Sequence, residues 1–253
     1  MVNTHKRGFA ATFHQRHAGS ITAALIEQVI DFLHQHYDAV WLSVSEETVP
    51  ELKEAIRSNQ QCTAIFIPAK GAADARRRLV FAAQHHLPAL DSLHICDFDR
   101  VVTWIKTYPE ELVAISKKPL PANTYCILGR TARAFASHPQ TWQRTERLIN
   151  EIAADFFQIE EVDIAAGSAL FPISLIPTLL KNNNAHLNDG EWPRNVQRSG
   201  GTIVYQACDG LRFEERNKDP FEHESAEHES AFQLMQRLQV AAIISESFYT
   251  EGM

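Results

Sequence analysis

Two rhythms of apolar residues alternate along the first hundred positions of this chain. Short continuous apolar runs at Gly8–His14, Ala39–Val44, Thr63–Pro68 and Ser92–Asp97 are bounded by Gly, Ser, Asn or Pro, the pattern of buried strands. Between them the period lengthens. Ile21, Leu25, Ile26, Val29, Ile30 and Leu33 recur at helical spacing, which predicts an amphipathic helix over 20–35 with Ser20 as its cap. Further helices are predicted over 47–58 and Gly71–Gln84. Strands alternating with helices through short links predict parallel strands joined by right-handed crossovers.

The rhythm changes after Asp99. A short helix is predicted over Val101–Tyr108, stopped by Pro109, then strands at Glu111–Ser116 and Thr124–Leu128 separated by a turn at Pro119 and Pro121. Residues 139–155 read as helix. Val162–Gly167 and Thr202–Ala207 are apolar but of open type, and Asn182–Asn184 and Asn188–Gly190 carry loop chemistry. From Glu222 a long helix is expected, with Phe232, Met235, Leu238, Ala242 and Ile243 on one face. No Ser/Gly-rich linker divides the chain. The expected class is therefore α/β, a mostly parallel twisted sheet flanked by helices in a single domain over 1–221. Residues 222–253 would be a C-terminal helical extension packed on that domain or on a second subunit of a homo-oligomer.

Composition narrows the function. A formal charge of −7 without a basic stripe argues against nucleic acid as partner. The longest apolar stretch, Ile164–Leu180, is interrupted by Pro172 and Pro177, so no transmembrane segment is expected. No charged-then-apolar leader is visible, and a cytoplasmic protein is the expectation. Cys62, Cys96, Cys126 and Cys208 form no CxxC pair and read as reduced, mostly buried thiols. His223 and His228 imitate a zinc-protease helix, but residues five apart do not share a helical face.

The chemistry concentrates in Ser92–Arg100, where a strand runs straight into Asp97-Phe98-Asp99. Two carboxylates at a strand's carboxyl end can hold a hard divalent cation against a phosphate, and open α/β sheets bind ligands at that edge. The pattern suits a transferase holding a metal-diphosphate. It also suits a haloacid-dehalogenase-type phosphatase, with Asp97 as nucleophile and Asp99 as acid/base. Such phosphatases carry the motif near the start of their catalytic domain, whereas here a βα series precedes it.

Gly71-Ala-Ala73-Asp-Ala75-Arg76, some twenty residues before Asp97 and Asp99, resembles the phrase found in nucleotide-diphospho-sugar transferases of GT-A fold. The resemblance implies a nucleotide-diphospho-sugar donor, Mn²⁺ or Mg²⁺, an unnamed acceptor and glycosyltransferase activity. It implies that Gly71 and Arg76 face the nucleotide, that Asp97 approaches the nucleoside, and that Asp99 with Asp97 binds the metal. Phe13, His14 and Arg16 would receive the base. Asp163 would lie near the transferred sugar. Asn188-Asp189-Gly190-Glu191-Trp192 through Arg198 resembles the segment in which a carboxylate deprotonates the acceptor and basic residues meet the diphosphate. Glu191, Asp189 or Asp163 would be that base, Glu191 ahead because Trp192 could stack on a sugar, and Arg194 and Arg198 the basic residues. Pro193 departs from the family pattern and keeps open a non-catalytic nucleotide-binding protein.

Overall fold

The computed structural model describes residues 5–86, 90–181, 185–214 and 230–249. The first half is a regular βα series: β1 (Arg7–Phe13), α1 (Ala23–His36), β2 (Ala39–Ser45), α2 (Pro50–Ser58), β3 (Thr63–Ile67), α3 (Ala72–His86) and β4 (Ser92–Asp97). Then come α4 (Phe98–Thr107), α5 (Pro109–Lys117), β5 (Thr124–Arg130), α6 (Ala132–Ala136) and α7 (Gln140–Phe157). The chain continues through β6 (Ser168–Pro172), α8 (Ile176–Leu179), α9 (Asn188–Arg198), β7 (Thr202–Cys208) and α10 (Ala231–Tyr249).

Among the described residues seven strands form one sheet in the order β3-β2-β1-β4-β6-β5-β7. Strand β6 alone runs against its neighbours β4 and β5, and the other pairings are parallel. Successive strand residues point to opposite faces, and each face has its own core. Phe9, Ala11, Phe13 and Cys96 join α1, α2, α4 and α5 on one side. Ala10, Leu93 and Ile95 join α3, α7, α9 and α10 on the other. Cys96, Cys126 and Cys208 are buried and unbridged.

His94 is also fully buried, its Nδ1 2.8 Å from the Tyr37 hydroxyl and its Nε2 3.0 Å from Ser168 Oγ. Burial, and secondarily the charge of Arg7, pushes its pKa down to about 3, so the imidazole is neutral.

Several predicted elements differ in the structure. The segment expected as a strand at Glu111–Ser116 is helix α5. Pro109 sits at its start, Glu110 and Glu111 in its first turn and Lys117 in its last, an arrangement that suits the helix dipole, while Leu112 and Ile115 bury one face. Helix α1 is capped by Thr22, whose side chain accepts from the Leu25 N–H, not by Ser20. Asn188–Gly190 opens helix α9 instead of forming a loop; Gly190 is needed because a Cβ there would lie 2.3 Å from Ser247 Oγ on α10. Pro193 stands inside α9, where it removes one intrahelical donor.

The face expected for the last helix is also displaced. Ala241, Ile244, Ser247 and Phe248 are the buried positions of α10, and Phe232, Met235 and Leu238 are exposed. Phe248 packs on Phe156 and Phe157 of α7, which draws the α10 interface toward its carboxyl half. Residues 222–229 and the expected Asn182–Asn184 loop lie outside the described residues.

Candidate active site

Strands β1 to β4 carry their carboxyl ends to one edge of the sheet, where a cleft of about 370 Å³ opens. Phe13, His14 and Arg16 line it from the end of β1, Gly71 from the turn into α3, and Asp97 and Asp99 from the end of β4. Six residues singled out in the sequence (Phe13, His14, Arg16, Gly71, Asp97 and Asp99) therefore share one surface. Gly71 has φ of +89° with nothing within 4 Å of where a Cβ would stand, so backbone conformation, not space, calls for glycine. Arg16 is half-exposed and its Nε lies 2.6 Å from Glu47. Asp97 falls on the fourth strand in chain order, after three βα units, where the phosphatase reading required the first.

Arg76, outside the cleft's lining, holds Asp97 in place. From α3 its Nη2 donates to Asp97 Oδ2 at 2.7 Å and its Nε to Asp97 Oδ1 at 3.2 Å. Its Nη1 donates to Asn188 Oδ1 and Asp189 Oδ1, both at 3.1 Å. Thr12 adds its hydroxyl to Asp97 Oδ1 at 2.9 Å. Burial by itself would lower the Arg76 pKa, but the charges and hydrogen bonds of Asp97 and Asp189 outweigh it and hold the guanidinium above its ordinary value. Asp97 stands at the N-cap of α4 yet makes no side-chain capping bond, its carboxylate being turned to Arg76 and Thr12. Gly167, at φ +75°, accepts from the Asp97 N–H, and a Cβ there would come within 2.6 Å of Asp97 Oδ2.

Arg76 and Asp189 are not among the residues lining this cleft and border a smaller space beside it, and four other residues named from the sequence also lie off the cleft. Glu191 is buried on α9, where it accepts from Arg77 Nη2 at 2.8 Å and from the Ala185 N–H at 2.9 Å. Asp163 lines a different cavity of about 380 Å³ and grips Arg130, accepting from its Nε at 2.6 Å and its Nη2 at 2.7 Å. Glu146 takes the other charge-assisted bond of that buried arginine, at 2.6 Å. Arg194 is buried against α10 and donates to the Ser247 carbonyl. Arg198 ends α9 four residues before Thr202, which pairs with Thr124 at the amino end of β5, the opposite edge of the sheet from Asp97. Of the three acids considered as base, Asp189 alone joins Asp97, through Arg76.

The cleft also contains residues the sequence reading passed over: Thr12, Gln15, Ser45, Pro68 and Lys70. Lys70 directly precedes Gly71 and the amino end of α3, so its position beside a helix N-terminus was the available signal. Among the described residues, no group of three or more His, Cys, Asp or Glu side chains converges to hold a metal unaided. Asp97 and Asp99 nevertheless fit a hard cation shared with a phosphate, because Mg²⁺ needs only one or two carboxylates when substrate oxygens and water complete its shell.

The mostly parallel sheet with its one antiparallel strand is a nucleotide-diphospho-sugar transferase-like fold, as alignment with solved structures shows. The chain matches no family model, and no curated protein matches it in sequence. Solved structures do align. Glucosyl-3-phosphoglycerate synthase from Mycobacterium tuberculosis, in complex with Mn²⁺, UDP and glucosyl-3-phosphoglycerate, superposes with a TM-score of 0.55 at 11% identity, over 93% of this chain and 80% of that one. Its complex with Mn²⁺, UDP-glucose and phosphoglyceric acid gives 0.55 at 13% identity, over 94% and 79%. Among the described residues no helix is long and apolar enough to cross a membrane.

Proposed function

We propose that this protein is a glycosyltransferase that takes its sugar from a nucleotide-diphosphate donor and depends on a divalent cation. The observation that carries the reading is the shared cleft: an aromatic ring at Phe13, a glycine turn and helix N-terminus at Gly71–Ala72, and the carboxylates of Asp97 and Asp99 surround one volume. Each part suits a portion of a nucleotide-sugar. Phe13 and Ile21 offer an apolar wall for a base. Lys70, Gly71 and the amino end of α3 suit the diphosphate. The structural neighbour that binds Mn²⁺ and UDP-glucose supports the same assignment by fold.

Asp99, with Asp97, would hold Mn²⁺ or Mg²⁺, and the bound cation would supply Lewis-acid stabilisation of the departing diphosphate. Arg76 compensates the charge of Asp97 and fixes its carboxylate. Asp189 is the acid we assign to deprotonating the acceptor hydroxyl, since its arginine, Arg76, also holds Asp97, whereas Glu191 and Asp163 pair with Arg77 and Arg130. Thermal unfolding with UDP-glucose and GDP-mannose, each with and without MnCl₂, tests the reading. A ligand at a hundredfold excess over its Kd stabilises by about 2.7 kcal/mol. A shift that requires the metal is expected, and a nucleotide-sugar panel without one would remove the proposal.

A further inference from the structure

Beneath Arg76, on the face of the sheet covered by α9, lies a void of about 20 Å³ lined by Gly167, Ser168, Asn188, Asp189 and Trp192 among others. That volume holds one water-sized group. Two of the residues that line it carry a buried donor with no partner among the described residues: Asn188 Nδ2 and Trp192 Nε1. Both side chains are buried, at 1% and 2% exposure. They stand four residues apart on α9 and so share a face of the helix. The amide orientation of Asn188 is fixed chemically. Arginine has only donors, so the amide oxygen must face Arg76 Nη1, 3.1 Å away, and the NH₂ must face elsewhere. Buried donors without acceptors are strongly disfavoured, and two beside one polar void call for a common partner. Trp41 and Trp104 bury unpartnered indoles too; what sets Trp192 apart is the second donor and the void that both line.

We propose that this void is a single-oxygen site, in which Asn188 Nδ2 and Trp192 Nε1 donate to one acceptor oxygen. The occupant is a water in the free protein or an oxygen of a bound ligand, the chemistry being the same. Either way the oxygen holds the Asn188 amide in the orientation that presents its carbonyl to Arg76. It thereby links the start of α9 to the Arg76–Asp97 pair.

The test uses the whole ¹⁵N-labelled protein. Its spectrum contains indole signals from four tryptophans. The Trp192 signal is identified by its loss in Trp192→Phe. In the free protein that indole proton is expected to show a direct cross-relaxation peak with a long-lived water. Adding UDP-glucose with Mg²⁺ separates the sources: retention of the peak means a resident water, and its replacement by a shifted indole signal means a ligand oxygen. An indole with neither a water contact nor a ligand-induced shift would overturn the proposal. A crystal structure of the unaltered protein gives the same answer without substitution. Density within about 3.2 Å of both nitrogens supports the site, and an empty void or a protein acceptor for either nitrogen refutes it. The free-protein result stands even if UDP-glucose does not bind, so the failure of the proposed activity would be read separately.

Discussion

Arg76 meets Asp97 through two hydrogen bonds, Nη2 to Oδ2 at 2.7 Å and Nε to Oδ1 at 3.2 Å. A carboxylate held by a guanidinium fork is positioned and charge-compensated, which leaves Asp99 as the cleft's second acid for a cation. The same arginine reaches Asp189, so two acids from distant parts of the chain are joined by one positive charge.

Removing that charge should therefore be felt in stability as well as in binding. Arg76→Met leaves two carboxylates facing each other without a counterion, and urea denaturation is expected to show a loss on the order of 3 kcal/mol. Arg76→Lys should recover only part, because an ammonium cannot form the fork. A Met variant as stable as the parent would mean that the two acids do not depend on Arg76.

Asp99→Asn separates metal from fold. The Asp99 carboxylate lines the cleft with Arg100 Nε 3.9 Å away, and the isosteric amide fills the same space. The basal melting temperature should stay close to that of the parent, while the metal-dependent shift with nucleotide-sugar disappears. Retention of the full shift would assign the cation elsewhere.

The two acids of α9 should behave oppositely. Asp189→Asn is expected to lower turnover by about 10²–10⁴-fold with nucleotide binding kept, the scale of lost general-base catalysis. Glu191→Gln loosens a buried bond to Arg77 and should lower stability, with the rate per folded molecule unchanged. A turnover collapse in Glu191→Gln, but not in Asp189→Asn, would exchange their roles.

His94 gives a pH signature. Its folded pKa, about 3, lies below the ordinary 6.5, so between these values the unfolded chain binds the extra proton. Stability from this group is thus full above pH 6.5 and is lost as pH falls toward 3, at up to about 1.4 kcal/mol per pH unit. Comparing the parent with His94→Gln by denaturation from pH 4 to 7 isolates the group: the difference between the two should narrow as the solution is acidified. A constant difference would count against a neutral buried imidazole.

Gly167→Ala probes the approach of the loop to Asp97. A methyl group there adopts an unfavourable positive φ and crowds Asp97 Oδ2, so a loss of about 1–2 kcal/mol is expected, together with weaker nucleotide binding. Unaltered stability and binding would show that the loop yields freely.

The first half of the chain was legible because pattern and structure coincide there: β4 runs over Ser92–Asp97 as its apolar residues indicate, and Gly71 and Asp97 meet at one edge. Glu111–Ser116 misled because a short apolar run, Leu112 to Ile115, does not distinguish a buried strand from the inner face of a short helix, and the Pro-Glu-Glu start was the better signal. Asn188–Gly190 misled because loop-forming residues were outweighed by tertiary contacts, with Arg76 holding Asn188 and Asp189 and α10 packing over Gly190. The pairings of Glu191 with Arg77 and Asp163 with Arg130 join residues 114 and 33 positions apart, and no local pattern encodes them.

Strand β6 runs against its neighbours, so it is the strand's beginning, not its end, that arrives beside Asp97. Every other strand delivers to this edge the connection that follows it; β6 delivers the one that precedes it. The 158–167 segment is thus anchored at its far side by Gly167 in the site and at its near side by helix α7. A chain inserted between those anchors would emerge at this edge of the sheet, beside the cavity lined by Glu160 to Asp163, without disturbing a strand register. Changes of length there can reshape that rim while the sheet that aligns Asp97 stays as it is.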